Sequence, residues 1–221
     1  MKLNELNNIP WSPEDKEAID SYYGNAIFSK KKPSMIEPEG VDDILQAYGW
    51  QPIGMGAFSD VYAKEGYEYV LKMNRTPDSA FAKFAILSRA SRNPHFPHIG
   101  NGKIINIKGH KYIAYLIEFL EPIKMNLSKI QTLASVLNTI VNCAADNEIY
   151  SEASEYGFEG IEATVFESLT QSLFDAALYL GRYVSRQSEM VVDIHENNIM
   201  ERYDGTIVIT DPLYTHGEYQ K

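Results

Sequence analysis

The apolar residues of this chain change their spacing near residue 120, and that change constrains the fold more than any other feature. From Trp50 to Met73 the residues are strand-like, with Val61 and Tyr62 before the turn residues Glu65 and Gly66, and Tyr67, Tyr69, Val70 and Leu71 after them. This pattern predicts an antiparallel hairpin, because aromatic and β-branched runs bounded by a glycine turn suit a half-buried sheet. Residues 103–108 and 111–119 predict a second hairpin around Gly109 and His110. Between the hairpins, Asp78 or Ser79 is placed to cap a helix running to about Arg92, with Ala80, Phe81, Phe84, Ala85, Ile86 and Leu87 as its apolar face.

Beyond residue 120 the spacing becomes helical over 127–145 and 162–187, the second with Val165, Phe166, Leu169, Leu173, Phe174, Ala177 and Leu180. Short apolar runs at 190–192, 199–200 and 207–209 then predict strands, with a turn at Tyr203, Asp204 and Gly205. The order is a strand-rich N-terminal half, a helical middle and a final small hairpin. Upstream, Ser12, Pro13, Glu14, Asp15 and Glu17 read as a helix start that Gly24 ends, a linker carries Lys30, Lys31, Lys32, Pro33 and Pro38, and a short helix over 41–48 stops at Gly49.

At 221 residues and 44% hydrophobic content, the chain is long enough to bury a substantial core in one domain or two small lobes. No apolar run approaches the roughly 18 residues that span a bilayer, and the N-terminal stretch has no apolar signal region. The expectation is a soluble, cytoplasmic protein with no membrane partner. The single cysteine, Cys143, excludes an internal disulfide and a cysteine-built zinc site, and reads as a buried helix residue. The net charge is −10, yet residues 72–111 hold eight bases and one acid. So acidic a protein is not expected to bind nucleic acid directly; its basic segment points to a local anion site or an acidic partner, or is a solvated helix face.

Three clusters carry chemistry. Gly54, Met55, Gly56, Ala57, Phe58, Ser59, Asp60 and Val61 follow G-x-G-x-x-G-x-V, with Ser59 in place of the third glycine. Between strands such a loop either folds over phosphates, because glycine lets backbone N–H groups come close, or is an ordinary glycine turn. Lys72 ends the apolar run Tyr69, Val70, Leu71, and a lysine so placed calls for an anionic partner. Asp193 and Asn198 lie five apart on a loop between apolar strands, and Asp211 follows another. These oxygen ligands suit Mg²⁺ bound to phosphates, with one carboxylate left to accept a proton from an attacking hydroxyl.

In order and spacing the three clusters resemble the protein-kinase-like superfamily, from Gly54 to Asp211. The resemblance implies an α+β, two-lobed fold with ATP in its cleft: an N-terminal extension over 1–49, an antiparallel-sheet N-lobe over 50–121 and a reduced helical C-lobe over 122–221. It further implies that Gly54, Met55, Gly56, Ser59 and Val61 cover the nucleotide and that Lys72 holds its α- and β-phosphates. Backbone groups of Glu118 and Leu120, in the hinge-like segment 115–121, would meet the adenine. Asp193 would be the catalytic base, and Asn198 and Asp211 would bind Mg²⁺. The D-x-H-x-x-N arrangement of Asp193, His195 and Asn198 is similar to that of aminoglycoside phosphotransferases and of the early serine/threonine kinases of T7-like bacteriophages. The second likeness implies phosphorylation of host proteins in the host cytoplasm, including transcription and RNA-processing machinery.

Departures from the family pattern shape the expectation. Val191 and Val192 stand where a histidine and an arginine usually precede the catalytic aspartate, and Pro212 and Leu213 replace Phe-Gly after Asp211. Ten residues follow Asp211, too few for an activation loop or a helical substrate platform, so activity would be constitutive or set by a partner. No glutamate lies between Lys72 and Glu118 to pair with the lysine. The alternative is therefore a catalytically weak or inactive kinase-like protein that binds and inhibits a host target. Small-molecule phosphorylation is a third reading, suggested by His195. His95 and His98 are separated by a proline and flanked by another, which argues against a metal site. His195 reads as a residue that orients its loop.

Overall fold

A computed structural model describes residues 41–56, 58–75, 78–107, 110–145 and 168–215. The helix expected after Ser12 and the linker after Lys30 lie outside these residues. The fold is mixed α+β, with a five-stranded antiparallel sheet. The described residues divide into two compact units, one of residues up to Asp78 with His98–Phe119, the other of Ser79–Pro97 with those from Leu120 onward. Residues 79–97, expected within the segment 50–121, thus group with the second unit.

The first unit begins with α1 (Val41–Ala47), followed by β1 (Trp50–Met55), β2 (Ser59–Lys64) and β3 (Tyr69–Asn74). The expected stop at Gly49 is present: its φ of 85° lies in the left-handed region where a side chain is strained. β2 and β3 form the expected hairpin, turning at Gly66 with φ 80°. After an intervening helix that belongs to the second unit, the sheet continues with β4 (Lys103–Ile107) and β5 (His110–Glu118), which form the second hairpin. The strand order is β1-β2-β3-β5-β4, every neighbour antiparallel.

Residues directly opposed across an antiparallel sheet share a face. The row Tyr62, Leu71 and Leu116 therefore lies on one face, and it joins Val41 and Leu45 of α1, Trp50, Tyr69 and Met73 in one buried cluster. Trp50, Tyr67 and Tyr69 meet in tilted and edge-on contacts at centroid separations of 5.1 to 6.1 Å. All six residues of β3 are buried, so both faces of the central strand are covered.

The second unit contains α2 (Ser79–Ser91), a two-residue strand β6 (Glu121–Pro122), α3 (Leu127–Ala145) and α4 (Gln171–Val184). It ends with β7 (Met190–Val192), a 3-10 turn at Glu196–Asn198, β8 (Ile199–Glu201), β9 (Ile207–Ile209) and β10 (Leu213–Thr215). α2 buries Ala80, Phe81, Phe84, Ala85 and Leu87 as expected, but Ile86 is exposed. It falls on the helix side opposite Phe84 and Ser88, about 100° per residue from either neighbour.

The helix expected over 162–187 is interrupted: Ser168 is helical, and α4 begins only at Gln171. Thr170 is extended (φ −63°, ψ 156°) and its hydroxyl accepts the Leu173 N–H, an N-cap that leaves Leu169 outside the helix. Val165 and Phe166 lie outside the described residues. α3 and α4 pack closely, because Gly181 has no side chain: a Cβ there would stand 2.4 Å from the Val141 carbonyl oxygen. Cys143 is half-buried on α3, not fully buried as expected.

β8 and β9 form the expected final hairpin, which turns at Gly205 with φ 84°; β6 adds a third strand beside β8. β10 was not expected. It pairs antiparallel with β7, placing Leu213 opposite Val192. Its sequence Leu213–Thr215 lacks the unbroken apolar run that marked β7 and β9.

Candidate functional site

Of the candidate residues, Gly54, Met55, Gly56, Ser59, Val61, Lys72 and Glu118 lie in the first unit, and Leu120, Asp193, Asn198 and Asp211 in the second. Each set is described within its own unit.

In the first unit the glycine motif is the β1–β2 hairpin. Gly54 and Met55 end β1, Ser59 opens β2, and only 56–58 lie between the strands. A register shift between Pro52 and Gly54 lets Gly54 pair with Val61. The Gly56 N–H donates to the Ser59 carbonyl at 2.7 Å. Ser59 is thus already a strand residue, paired with Asn74, and that position needs no glycine freedom. Neither Gly54 nor Gly56 has a positive φ; a Cβ on Gly56 would approach the Ser59 carbonyl oxygen to 3.4 Å.

Gly54, Val61, Lys72 and Tyr115 stand opposite one another in succession across β1, β2, β3 and β5. They form one row on the face away from the Trp50 cluster. Lys72 is 5% exposed. The register thus places the buried Lys72 opposite Val61 of the glycine hairpin.

Two residues that the sequence reading passed over hold this hairpin. Arg75 follows β3 and donates from Nε to Asp60 Oδ2 at 2.8 Å and from Nη2 to Oδ1 at 2.5 Å. Its Nη2 also reaches the Gly56 carbonyl at 3.3 Å, and its backbone N–H donates to the Phe58 carbonyl at 2.8 Å. The placement follows from the register, which only the folded sheet shows. Since Ser59 pairs with Asn74, the next residue along must lie beside the loop.

At the end of β5, the Glu118 N–H donates to the His98 carbonyl (3.0 Å), while the Glu118 carboxylate accepts the His98 N–H (2.8 Å) and lies 3.3 Å from His98 Nδ1. The Glu118 amide is therefore engaged within the first unit. Leu120 is buried in the second unit.

In the second unit Asp193 follows β7, Asn198 precedes β8, and Asp211 lies between β9 and β10. The Asn198 side chain joins them. Its Nδ2 donates to the Asp193 carbonyl and to the Asp211 carbonyl, both at 2.7 Å. Two carbonyl acceptors require the NH₂ at that position, so the amide orientation is fixed and Oδ1 is turned away from both. The Asp193 N–H donates to the Pro212 carbonyl (2.7 Å) and the Thr210 N–H to the Asn198 carbonyl (2.9 Å). The missed strand β10 extends this lacing, since it pairs with the strand that leads into Asp193.

The Asp193 side chain is 41% exposed, and its Oδ2 lies 4.0 Å from His195 Nε2. His195 Nδ1 accepts the Asn197 N–H at 3.3 Å, capping the 3-10 turn. Glu196 on the same turn has its acidity increased, first by its own backbone N–H, then by the Gln131 amide and by His195.

β9, which leads to Asp211, is anchored by His95. The His95 carbonyl accepts the Ile209 N–H (2.9 Å); its Nδ1 donates to the Ile207 carbonyl (2.7 Å), and Nε2 meets the Ser172 hydroxyl (2.8 Å). Arg202 donates to the Pro94 and Phe96 carbonyls, fixing the same segment. Burial pushes the His95 pKa below its ordinary value. Among the described residues no group of three or more His, Cys, Asp or Glu side chains is arranged to hold a metal ion, and no helix is long and apolar enough to cross a membrane.

Compared with the models of known protein families and with curated proteins, the chain matches none.

Proposed function

We propose that this chain is an ATP- and Mg²⁺-dependent phosphotransferase of protein-kinase-like, two-lobed architecture that phosphorylates Ser or Thr hydroxyls of proteins. The observation that carries this reading is the Asn198 clamp. One carboxamide spends both N–H groups on the carbonyls of Asp193 and Asp211 and so ties the two aspartate segments together; Asn198 and Asp211 would supply hard oxygen donors to Mg²⁺. The half-exposed Asp193 carboxylate is then the group to accept the hydroxyl proton. Bound Mg²⁺ would neutralise charge on the transferring phosphoryl group.

The row Gly54, Val61 and Lys72 supports a nucleotide role for the first unit: backbone and ammonium donors for phosphates, beside an apolar side chain. On the resemblance to phage kinases, the acceptors are host proteins such as transcription or RNA-processing machinery. The test is phosphate transfer from γ-labelled ATP to protein acceptors, with Asp193→Asn and Asp211→Asn as controls. The reading predicts at least a hundredfold loss in each; wild-type rates in both would refute it.

A second reading, a kinase-like protein that binds and inhibits a host target without catalysis, is favoured by the lack of any glutamate on α2. Tight binding of a host protein that survives Asp193→Asn, with no transfer by wild type, would select it.

A further inference from the structure

The glycine hairpin is a short loop that, left to itself, samples many conformations, and ordering its backbone costs conformational entropy. Here it has three tethers. The Gly56 N–H bonds the Ser59 carbonyl, the Arg75 N–H bonds the Phe58 carbonyl, and the Arg75 guanidinium spans the Gly56 carbonyl and both Asp60 oxygens. A two-pronged guanidinium–carboxylate pair fixes orientation as well as distance, which a lysine could not do. Both partners are largely buried, with side chains 18% and 7% exposed, so water and salt compete weakly for them.

The clasp is also on the right side. Asp60 pairs with Met73, on the face of the Trp50 cluster, whereas Lys72 belongs to the row on the opposite face. Arg75 thus grips the hairpin from behind and does not occupy the face that carries the lysine. With Asp60 neutralising it, Arg75 adds no net charge to attract phosphate.

We propose that Arg75, braced by Asp60, is a positioning residue that holds the glycine hairpin ready for the phosphates of a nucleotide. The inference rests on the nucleotide reading above. Its signature is selective: the loop meets phosphates, so loss of the clasp weakens ligands in proportion to their phosphates and leaves the nucleoside alone. A residue needed only for folding would weaken all of them alike.

The experiment is calorimetric titration of the full chain with MgATP, MgADP and adenosine, for wild type, Arg75→Ala, Arg75→Lys and Asp60→Asn. The expected result for Arg75→Ala is a loss of roughly tenfold for MgATP, the affinity equivalent of ordering about one loop residue, with adenosine unchanged. Arg75→Lys keeps the charge but not the fork, and is expected to behave like Arg75→Ala. In steady-state transfer assays the loss belongs in KM for ATP, with kcat little changed, because a preorganised loop serves ground and transition states alike. Hydrogen exchange at the Gly56 and Arg75 amides should quicken in all three variants.

If wild type binds MgATP and the variants bind it equally well, the positioning role is overturned and the nucleotide reading stands. An equal loss for adenosine also overturns it. If wild type binds no adenine nucleotide, the nucleotide reading fails and the inference falls with it. Should Arg75→Ala not fold, the near-isosteric Asp60→Asn carries the same decision.

Discussion

Two loops of this molecule are held in opposite ways. The glycine hairpin of the first unit is tied by an ion pair, Arg75 on Asp60, that takes in one loop carbonyl as an additional contact. The Asp193–Asp211 region of the second unit is tied by a neutral carboxamide, Asn198, acting directly on two backbone carbonyls. A charged clasp resists only while both partners are present, since either partner alone is a poorly solvated charge. A neutral clamp on carbonyls places no charge of its own beside the carboxylates it positions. That suits a loop expected to hold a cation and move a proton.

The largest effect is expected at the neutral clamp. Asn198→Asp preserves shape but replaces the donor NH₂ by an oxygen 2.7 Å from two carbonyl oxygens. Losing both hydrogen bonds and gaining repulsion should cost about 3 kcal/mol of stability and, on the proposed function, at least a hundredfold in transfer. Urea unfolding and the labelled-ATP assay measure the two, and an unchanged midpoint would break the comparison. At the charged clasp, Asp60→Ala and Arg75→Ala should each destabilise more than the double variant implies, with a coupling energy of about 1–2 kcal/mol in a double-mutant cycle. Additive losses would mean that the pair is not what holds the loop.

How much of each loop could be read beforehand follows from the range of its contacts. The hairpins, α1 and its stop at Gly49, α2, α3 and the Gly205 turn were legible because each is set by local spacing and turn chemistry. The mixed α+β class followed from them. The buried Lys72 was legible for the same reason, as a charge closing an apolar run. Arg75 on Asp60 and His95 on Ile207 were not, because they join residues 15 and 112 positions apart, and nothing in the local pattern marks either partner. Strands β6 and β10 were missed because Glu121–Pro122 and Leu213–Thr215 lack the unbroken apolar run that marked β7 and β9. The start of α4 was misplaced because the apolar spacing runs through Thr170, while a hydroxyl cap decides the boundary.

The turns of the two units should not differ. Gly66 and Gly205 both have φ near +80°, and a Cβ on either would meet no atom within 4 Å. Only backbone strain is left, so alanine at each position should cost about 1 kcal/mol, from the left-handed penalty of a non-glycine residue. Equal shifts in unfolding midpoint would confine the contrast to the clasps. A markedly larger loss at one of them would show that its turn carries packing as well.

The mildest expected effect separates the units by pH. His95 sits in the second unit, donating from Nδ1 to the Ile207 carbonyl and meeting Ser172 through Nε2. Burial, with a smaller contribution from the Arg202 charge, lowers its pKa below the ordinary 6.5, although the Ile207 bond opposes the shift. A histidine with a lowered folded pKa binds fewer protons folded than unfolded between the two values. Its contribution to stability is therefore complete above about pH 6.5 and declines as pH falls through the folded pKa. Below that point it declines no further. Native-state hydrogen exchange between pH 7.5 and 5, corrected for intrinsic rates, should show the Ile209 amide of β9 losing protection. In His95→Gln that pH-dependent part should vanish, since a carboxamide can donate to the Ile207 carbonyl and has no proton to gain. Undiminished pH dependence in His95→Gln would assign the effect to another group and remove pH from the contrast between the two loops.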